Sequence, residues 1–115
     1  MAEPTIDLAT FRALQETAGA DFVKELVDAF LEEAPGMLAD MRAALEAGEA
    51  DRFRRAAHSL KSNSNTFGAL GLGVLAKELE LGGLDRAKAA GTTALDAVTQ
   101  EFSRAASALK ELRDA

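Results

Sequence analysis

The sequence contains no cysteine, no tryptophan, no tyrosine, only two prolines and a single histidine. Without cysteine the chain has no disulfide framework, no thiolate nucleophile and no zinc-ribbon pattern, and it is compatible with a reducing cytoplasm. No apolar run approaches the roughly 20 residues that span a bilayer, and the first residues lack the basic start and apolar core of a secretory leader. We therefore expect an unprocessed cytoplasmic protein without a membrane segment. Met1 and the absence of a leading linker favour a standalone protein.

The charge of the chain is acidic overall but unevenly distributed. A net charge of −6 at pH 7 argues against a nucleic-acid partner, because phosphate backbones are bound by basic surfaces. The interval from residue 52 to residue 77, however, contains no aspartate or glutamate. Its basic residues are Arg52, Arg54, Arg55, Lys61 and Lys77. The only histidine, His58, lies inside this local basic patch.

Apolar residues at helical spacing predict two helices in the first half of the chain. Asp7 is the expected N-cap of a short first helix that ends at Gly19. A long second helix begins at Asp21 and ends at Gly48, and because its period continues in phase across Pro35 we expect a kink rather than a break. The apolar stripes of these helices are Leu8, Phe11, Leu14 and Val23, Leu26, Val27, Phe30, Ala34, Met37, Leu38, Met41, Leu45.

The second half of the chain has the same pattern. Asp51 begins a third helix, a fourth helix ends at the glycines 82–83, and a short helical stub follows over 85–90. Thr92 or Thr93 is the expected cap of the last helix. The predicted apolar sides are Phe53, Ala57, Leu60, Ser64 and Phe67 in the third helix, Leu70, Val74, Leu75, Leu79 and Leu81 in the fourth, and Leu95, Val98, Phe102, Ala105, Leu109 and Leu112 in the last.

These patterns predict an all-α fold. No segment shows the sustained alternation with β-branched residues that is typical of strands. Four amphipathic helices with stripes this wide can bury them together in an antiparallel four-helix bundle, with the short additional N-terminal helix closing one end. A chain of 115 residues is long enough for one core and too short for two, so we expect a single domain over residues 1–115.

The helical wheel directs His58 away from the core. With Phe53 at zero and about 100° per residue, the other apolar positions of the third helix fall within about 40°, whereas His58 falls at about 140°. Arg54, Lys61 and Asn65 lie four residues before, three after and seven after His58, so they share its flank. An exposed imidazole with basic and amide neighbours is therefore the candidate site.

Three other interpretations of His58 compete with a nucleophilic role for its imidazole. A solvated surface histidine without a function is the plain alternative, and it stays open at this point. A metal site is disfavoured because zinc needs three or four ligands, and His58 has no carboxylate or second histidine three or four residues away. A serine hydrolase is disfavoured because Ser59 and Ser62 are not accompanied by a nucleophile elbow or an oxyanion hole.

An exposed imidazole beside a lysine can accept a phosphoryl group. Neutral imidazole is a nucleophile toward phosphorus, and covalent catalysis by histidine splits a transfer into two steps. Lys61 can set an ammonium beside the phosphoryl oxygens, and Asn65 can donate a hydrogen bond to them. Because the chain has no phosphate-binding loop for a nucleotide, the donor and the acceptor would be other proteins.

The residues around His58 resemble a known signature. HSLK at 58–61, SNSN at 62–65 and FGA at 67–69 match the pattern of histidine-containing phosphotransfer (HPt) domains, roughly H-x-L-K-(G/S)-x-(S/A)-x-x-(L/F/V)-G-A. The resemblance extends over nearly the whole chain, including the Glu-Ala-Pro segment at 33–35 and the last helix, which is rich in leucine and alanine. It implies a four-helix bundle whose His58 accepts a phosphoryl group from a receiver-domain aspartate and passes it to another receiver. Such a protein is a covalent carrier rather than an autonomous enzyme.

The resemblance also implies roles for the neighbours and partners of His58. Lys61 matches the family's lysine near the phosphohistidine, and Ser62 stands where many members have a glycine that lets the receiver approach. We take Arg54 and Ser62 as candidate docking residues. The expected partners are response-regulator receiver domains, a hybrid histidine kinase, or both. The receiver supplies Mg²⁺, so no cofactor or metal of the chain's own is expected. Apart from the resemblance, the predicted bundle should be self-sufficient, so we expect a monomer, with a dimer through the acidic faces as the alternative.

Two alternatives to a standalone carrier are kept. An adaptor bundle would bind a receiver or kinase without being phosphorylated, but the intact His58 and Lys61 argue against it. A bundle cut from a larger sensor kinase would have the same chemistry in another context. Phe22 lies off the stripe of the second helix and suits core packing and partner docking equally, whereas Phe11 suits the core better.

Overall fold

The computed structural model describes residues 5–91 and 93–114, most of which lie in five helices. The helices are α1 (Leu8–Ala18), α2 (Ala20–Ala47), α3 (Ala50–Thr66), α4 (Leu70–Ala90) and α5 (Thr93–Asp114). No strand occurs among these described residues, and the predicted all-α class is confirmed. Within the same part of the chain, no helix is both long enough and apolar enough to cross a membrane.

Local signals in the sequence account for the ends of the first helices. Asp7 caps α1 by accepting a hydrogen bond from the backbone N–H of Thr10, and Gly19 ends the helix as predicted. The predicted starts of α2 and α3 are each one residue late. Asp21 and Asp51 lie in the first turns of these helices and not at the caps. A carboxylate in the first turn interacts favourably with the helix dipole.

Breaks within the helices also follow the sequence. The helix α2 continues through Pro35 without a break, as its unbroken apolar period predicts. Gly83 has a non-helical backbone (φ 74°, ψ −175°) and divides α4 at the predicted end over 82–83. Thr93 is the first residue of α5 rather than its cap, and the other candidate cap, Thr92, lies outside the described residues.

The helices α2 to α5 form an antiparallel four-helix bundle. Contacts between α2 and α3 pair residues in opposite order along the two helices. Phe30 packs against Phe67 with ring centroids 5.3 Å apart, and further along α2 Asp40 binds Arg52 at 2.9 Å. The same reversal relates α3 to α4 and α2 to α5. The predicted bundle is therefore confirmed.

The short helix α1 closes one end of the bundle at the turn between α3 and α4. The backbone N–H of Asp7 donates to the carbonyl oxygen of Gly68 at 2.8 Å. Gly68 has φ +84°, and a Cβ at this position would lie 2.7 Å from the carbonyl oxygen of Asp7. Glycine is the residue that makes this close approach without strain.

The core combines apolar side chains from all five helices, and the predicted stripes of α2, α3 and α5 supply much of it. Ser64 is also fully buried, as its position on the apolar side of the third helix predicts. Its hydroxyl donates to the carbonyl oxygen of Leu60 at 2.6 Å, so the buried polar group has a partner. The helix α3 therefore has one side in the core and the opposite side exposed to solvent.

The predicted core face of α4 is wrong for most of its residues. Leu70, Val74 and Leu81, which were expected to face the core, are 46%, 56% and 74% exposed. The residues that α4 buries are Leu72, Gly73, Ala76, Leu79, Leu84 and Ala87. Apolar residues occur on both sides of this helix, so the 3.6-residue period does not tell the inner side from the outer one.

Candidate functional site

His58 lies on the solvent side of α3, as the helical wheel predicts. Its side chain is 54% exposed, whereas Ala57 and Leu60 on the same helix are fully buried. The packing of those neighbours fixes the rotation of α3, and this rotation directs the imidazole outward. The ring is therefore accessible to another protein.

A carboxylate from the neighbouring helix holds the ring. Oε2 of Glu80 on α4 lies 2.7 Å from Nδ1 of His58, and Oε1 of the same carboxylate lies 2.8 Å from Nζ of Lys61. The second contact is a close ion pair between the carboxylate and the ammonium. The Glu80 side chain is only 13% exposed. One carboxylate thus bridges the imidazole and the ammonium.

The contact with Glu80 determines which ring nitrogen of His58 carries the proton. An ionised carboxylate can only accept hydrogen bonds, so Nδ1 must be the donor. In the neutral ring, Nε2 then has the free lone pair. The Lys61 ammonium, and after it the His58 contact, lower the pKa of Glu80 below its ordinary value and keep the carboxylate ionised. The site therefore presents an exposed ring whose Nε2 atom has the free lone pair.

The other residues predicted for the site lie farther along α3 or are held elsewhere. Asn65 lies against Gly73 of α4, where a Cβ would overlap its Oδ1 atom. Arg54 is exposed and its Nη2 atom lies 3.5 Å from Oδ1 of Asp51 on its own helix. Ser62 is exposed one turn beyond His58. Among the predicted residues, Lys61 is the one that shares a contact partner with His58.

Metal ligands are not clustered in the part of the chain that the structure describes. Over 5–91 and 93–114, no group of three or more histidine, cysteine, aspartate or glutamate side chains is arranged to hold a metal ion.

Comparison with known proteins places the chain in a family. A family model of the Hpt domain matches residues 25–114, which is most of the chain. The chain belongs to the Hpt domain family. It is a histidine phosphotransfer protein of phosphorelays, and at the family level such proteins carry phosphoryl groups between receivers and kinases rather than act as autonomous enzymes.

A solved structure supports the same assignment. The crystal structure of histidine-containing phosphotransfer protein B (HptB) from Pseudomonas aeruginosa PAO1 is 29% identical to this Hpt domain, with a TM-score of 0.82. The match covers 98% of this chain and 97% of that chain. A search of the curated proteins finds no match.

Glu80 is the residue of the site that sequence analysis missed. It lies 22 residues from His58, beyond any spacing within one helix. A signal exists in the antiparallel turn, because His58 lies 11 residues before Ala69 and Glu80 lies 11 residues after it. Asn65 and Gly73, which are also in contact, lie four residues before and four residues after Ala69. Folding the sequence about Ala69 would have paired these residues.

The exposed phenylalanine of the Hpt domain lies far from His58. Phe22 is 51% exposed, whereas Phe11 is buried, as expected. Phe67, nine residues beyond His58, packs against Phe30, and Phe22 lies eight residues before Phe30 on α2. At about 1.5 Å per residue, Phe22 is roughly 25 Å from His58 along the bundle. A partner centred on His58 would need to extend that far to reach it.

Proposed function

We propose that His58 accepts a phosphoryl group on Nε2 from an aspartyl phosphate of a receiver domain and passes it to a second receiver. The observation that carries this proposal is the Glu80 contact on Nδ1, because it leaves the lone pair of Nε2 on an exposed ring. The family assignment supplies the class of reaction. The geometry supports Nε2 as the nucleophilic atom.

The transfer is a displacement at phosphorus. The lone pair of Nε2 attacks, the N–P bond forms as the P–O bond to the receiver's aspartate breaks, and the aspartate leaves as a carboxylate. The imidazole gains positive charge in this step. The Glu80 carboxylate, 2.7 Å from Nδ1, stabilises that charge, and the same contact assists when the next receiver's aspartate removes the phosphoryl group.

Lys61, the cation beside the ring, also takes part in the proposed transfer. Lys61 is partly buried and paired with Glu80, so its ammonium is held close to His58 before the phosphoryl group arrives. A phosphoryl group carries nearly two negative charges near pH 7 and attracts such a cation strongly. We assign Lys61 to stabilise the phosphoryl oxygens. Asn65, two turns along α3, is assigned a weaker part in the same task.

The approach of the receiver is assigned to the exposed surface of α3. Ser62 has a small side chain one turn from His58, and Arg54 offers a cation on the other side. The Mg²⁺ of the transfer would belong to the receiver. An adaptor that binds a receiver without accepting a phosphoryl group is the competing function, but binding alone does not require a ring nitrogen oriented by a carboxylate.

Intact-mass analysis tests the proposed function. The protein is mixed with a receiver domain phosphorylated on its aspartate, and the mass of this chain is recorded for wild type, His58→Gln and the control Arg12→Gln on α1. We expect wild type and the control to gain one phosphoryl mass that disappears in acid, and His58→Gln to gain none while staying helical. Labelling of His58→Gln would refute the proposal. Binding of receivers without labelling of wild type would favour the adaptor.

A further inference from the structure

One glycine inside α4 is not explained by its backbone. Gly73 is the fourth residue of α4 and is buried. Five described glycines have a positive φ, and Gly73 is not one of them. In the interior of a helix alanine is the more favourable residue, because glycine has more conformational entropy to lose on folding. The reason for a glycine at this position therefore lies in the space around it.

The amide of Asn65, on α3, fills the space beside Gly73. A Cβ at residue 73 would overlap Oδ1 of Asn65 and would lie 2.9 Å from its Cγ atom. No other glycine of the chain has a neighbouring atom as close to the position of a Cβ. Because Cγ as well as Oδ1 is too close, rotation of the terminal amide would not make room for a methyl group. Asn65 therefore packs in a notch that exists only because residue 73 is glycine.

The contact between Asn65 and Gly73 is aligned with the contact between His58 and Glu80. His58 precedes Asn65 by seven residues on α3, and Glu80 follows Gly73 by seven residues on α4. Seven residues are two turns of an α-helix, or about 10.5 Å, and at about 100° per residue they return to within about 20° of the same side. Both pairs therefore lie on one line of contact between α3 and α4.

The residue of α4 between the two pairs is also small. Ala76 lies three residues after Gly73 and four before Glu80, and it is fully buried. The distance between packed helices depends on the side chains at the contact, and small ones let the backbones approach closely. The carboxylate of Glu80 then reaches Nδ1 of His58 at 2.7 Å. Its position thus depends on the separation of the two helices.

The contact of Glu80 with the ring tolerates little displacement. A hydrogen bond between nitrogen and oxygen has a heavy-atom distance of about 2.7–3.2 Å, so a separation of the helices by about 1 Å would break it. A methyl group at residue 73 needs a clearance of about this size from the Asn65 amide. The addition of one methyl group two turns away would therefore disturb the imidazole of His58.

We propose that Gly73 is a positioning residue for phosphoryl transfer. It leaves room for the Asn65 amide, and α3 and α4 then pack closely enough for Glu80 to hold the imidazole of His58 with the proton on Nδ1. This inference rests on the proposed function, since it concerns the same ring in the same reaction. Gly73 itself lies about two turns from the reacting atoms and acts only through Glu80.

A double-mutant cycle tests the coupling between Gly73 and Asn65. The proteins are wild type, Gly73→Ala, Asn65→Ala and the variant with both changes. Gly36→Ala is the control, because a Cβ at Gly36 has no neighbour within 4 Å. The single-turnover rate of labelling is measured at saturating phosphorylated receiver, and the ¹⁵N shifts of His58 report its tautomer. The effect of Gly73→Ala is compared with and without the Asn65 amide, so any contribution of the amide to transfer itself cancels.

We expect Gly73→Ala alone to slow labelling about fivefold and to give a mixture of the two ring tautomers, because the carboxylate is displaced from Nδ1. In the Asn65→Ala background the same change should alter neither quantity, since the methyl group then has space. Gly36→Ala should match wild type in both measurements. A merely structural role for Gly73 would lower stability without moving the ¹⁵N shifts.

Wild-type shifts and a wild-type rate in Gly73→Ala would overturn the proposal, because the Asn65 amide would then have moved aside. Equal losses with and without the amide, or a slower rate with wild-type shifts, would also overturn it, since the effect would not act through Asn65 and Glu80. If Gly73→Ala does not fold, the double variant decides, and it should fold with the proton on Nδ1. Absence of labelling in wild type would defeat the proposed function, and the ¹⁵N shifts would then decide the positioning role alone.

Discussion

At the residue scale, the carboxylate of Glu80 has a different partner on each oxygen. Oε2 accepts a hydrogen bond from the Nδ1–H of His58, and Oε1 lies beside the ammonium of Lys61. The first contact orients the ring and the second keeps a cation nearby. Neither partner could be held in this way by a residue of α3 itself, because that helix supplies no acidic side chain beyond its first turn.

We predict that Glu80→Gln slows phosphoryl acceptance by His58 about tenfold. An amide can both donate and accept, so it no longer forces the proton onto Nδ1 and no longer stabilises the charge of the ring. The measurement is the single-turnover rate of labelling at saturating phosphorylated receiver. Glu78→Gln, an exposed acidic neighbour on α4, is the matched control and should keep the wild-type rate.

A spectroscopic readout separates positioning from a merely structural effect. The ¹⁵N shifts of His58 report which ring nitrogen carries the proton. Wild type and Glu78→Gln should have the proton on Nδ1, and Glu80→Gln should have a mixture. A wild-type tautomer together with an unchanged rate in Glu80→Gln would contradict the role that we assign to the carboxylate.

At the element scale, the packing of α1 on the turn between α3 and α4 depends on Gly68. Any other residue there would adopt a left-handed backbone and bring its Cβ against the carbonyl of Asp7. Because this obstacle is backbone rather than a flexible side chain, it cannot move away without shifting α1. The N-cap of α1 and the turn after α3 are therefore coupled.

We predict that Gly68→Ala lowers the free energy of unfolding by about 2 kcal/mol, from the left-handed backbone and the forced shift together. Gly36→Ala in α2 is the matched control. A Cβ at Gly36 has no neighbour within 4 Å and its φ is helical, so this change should raise stability by about 0.5–1 kcal/mol. Urea unfolding of both variants gives the comparison. A Gly68→Ala protein as stable as wild type would show that the turn can relax freely.

At the scale of the whole molecule, ion pairs link folding to pH. Lys61 and then His58 lower the pKa of Glu80, and Arg113 lowers that of Asp114. Carboxyl groups with a depressed pKa bind fewer protons in the folded state than in the unfolded one. Their contribution to stability is complete above the unfolded pKa, near about 4, and is lost as the pH falls through the folded pKa.

We therefore predict that the free energy of unfolding is nearly constant from pH 7 to about pH 5 and falls at more acidic pH. The Glu80→Gln variant lacks one of the two carboxyl groups whose pKa is lowered, so the free energy of unfolding of this variant should decline less steeply over the acidic range. Urea titrations at a series of pH values from 7 to 3 measure both curves. Parallel curves for wild type and Glu80→Gln would mean that the contacts of Glu80 do not contribute to folding.

The sequence by itself determined the helices, the buried side of α3 and the outward position of His58. These properties depend on caps, glycines and periods within one segment, where the covalent chain relates each residue to its neighbours. The HPt signature at 58–69 is equally local, and it led to the family that the comparison then showed. Lys61 was found because it is one turn from His58.

The tertiary structure alone decided the partner of His58 and the inner side of α4. Glu80 approaches the ring from another helix, and its position follows from how α3 and α4 fold back on each other. The helix α4 has apolar residues on both sides, so a local period fits either orientation. Packing against α3 and α5 turns Leu72 and Leu79 inward and leaves Val74 and Leu81 outside. The physical reason is that a side chain is buried by the surfaces that other elements present, and those surfaces exist only after the helices assemble.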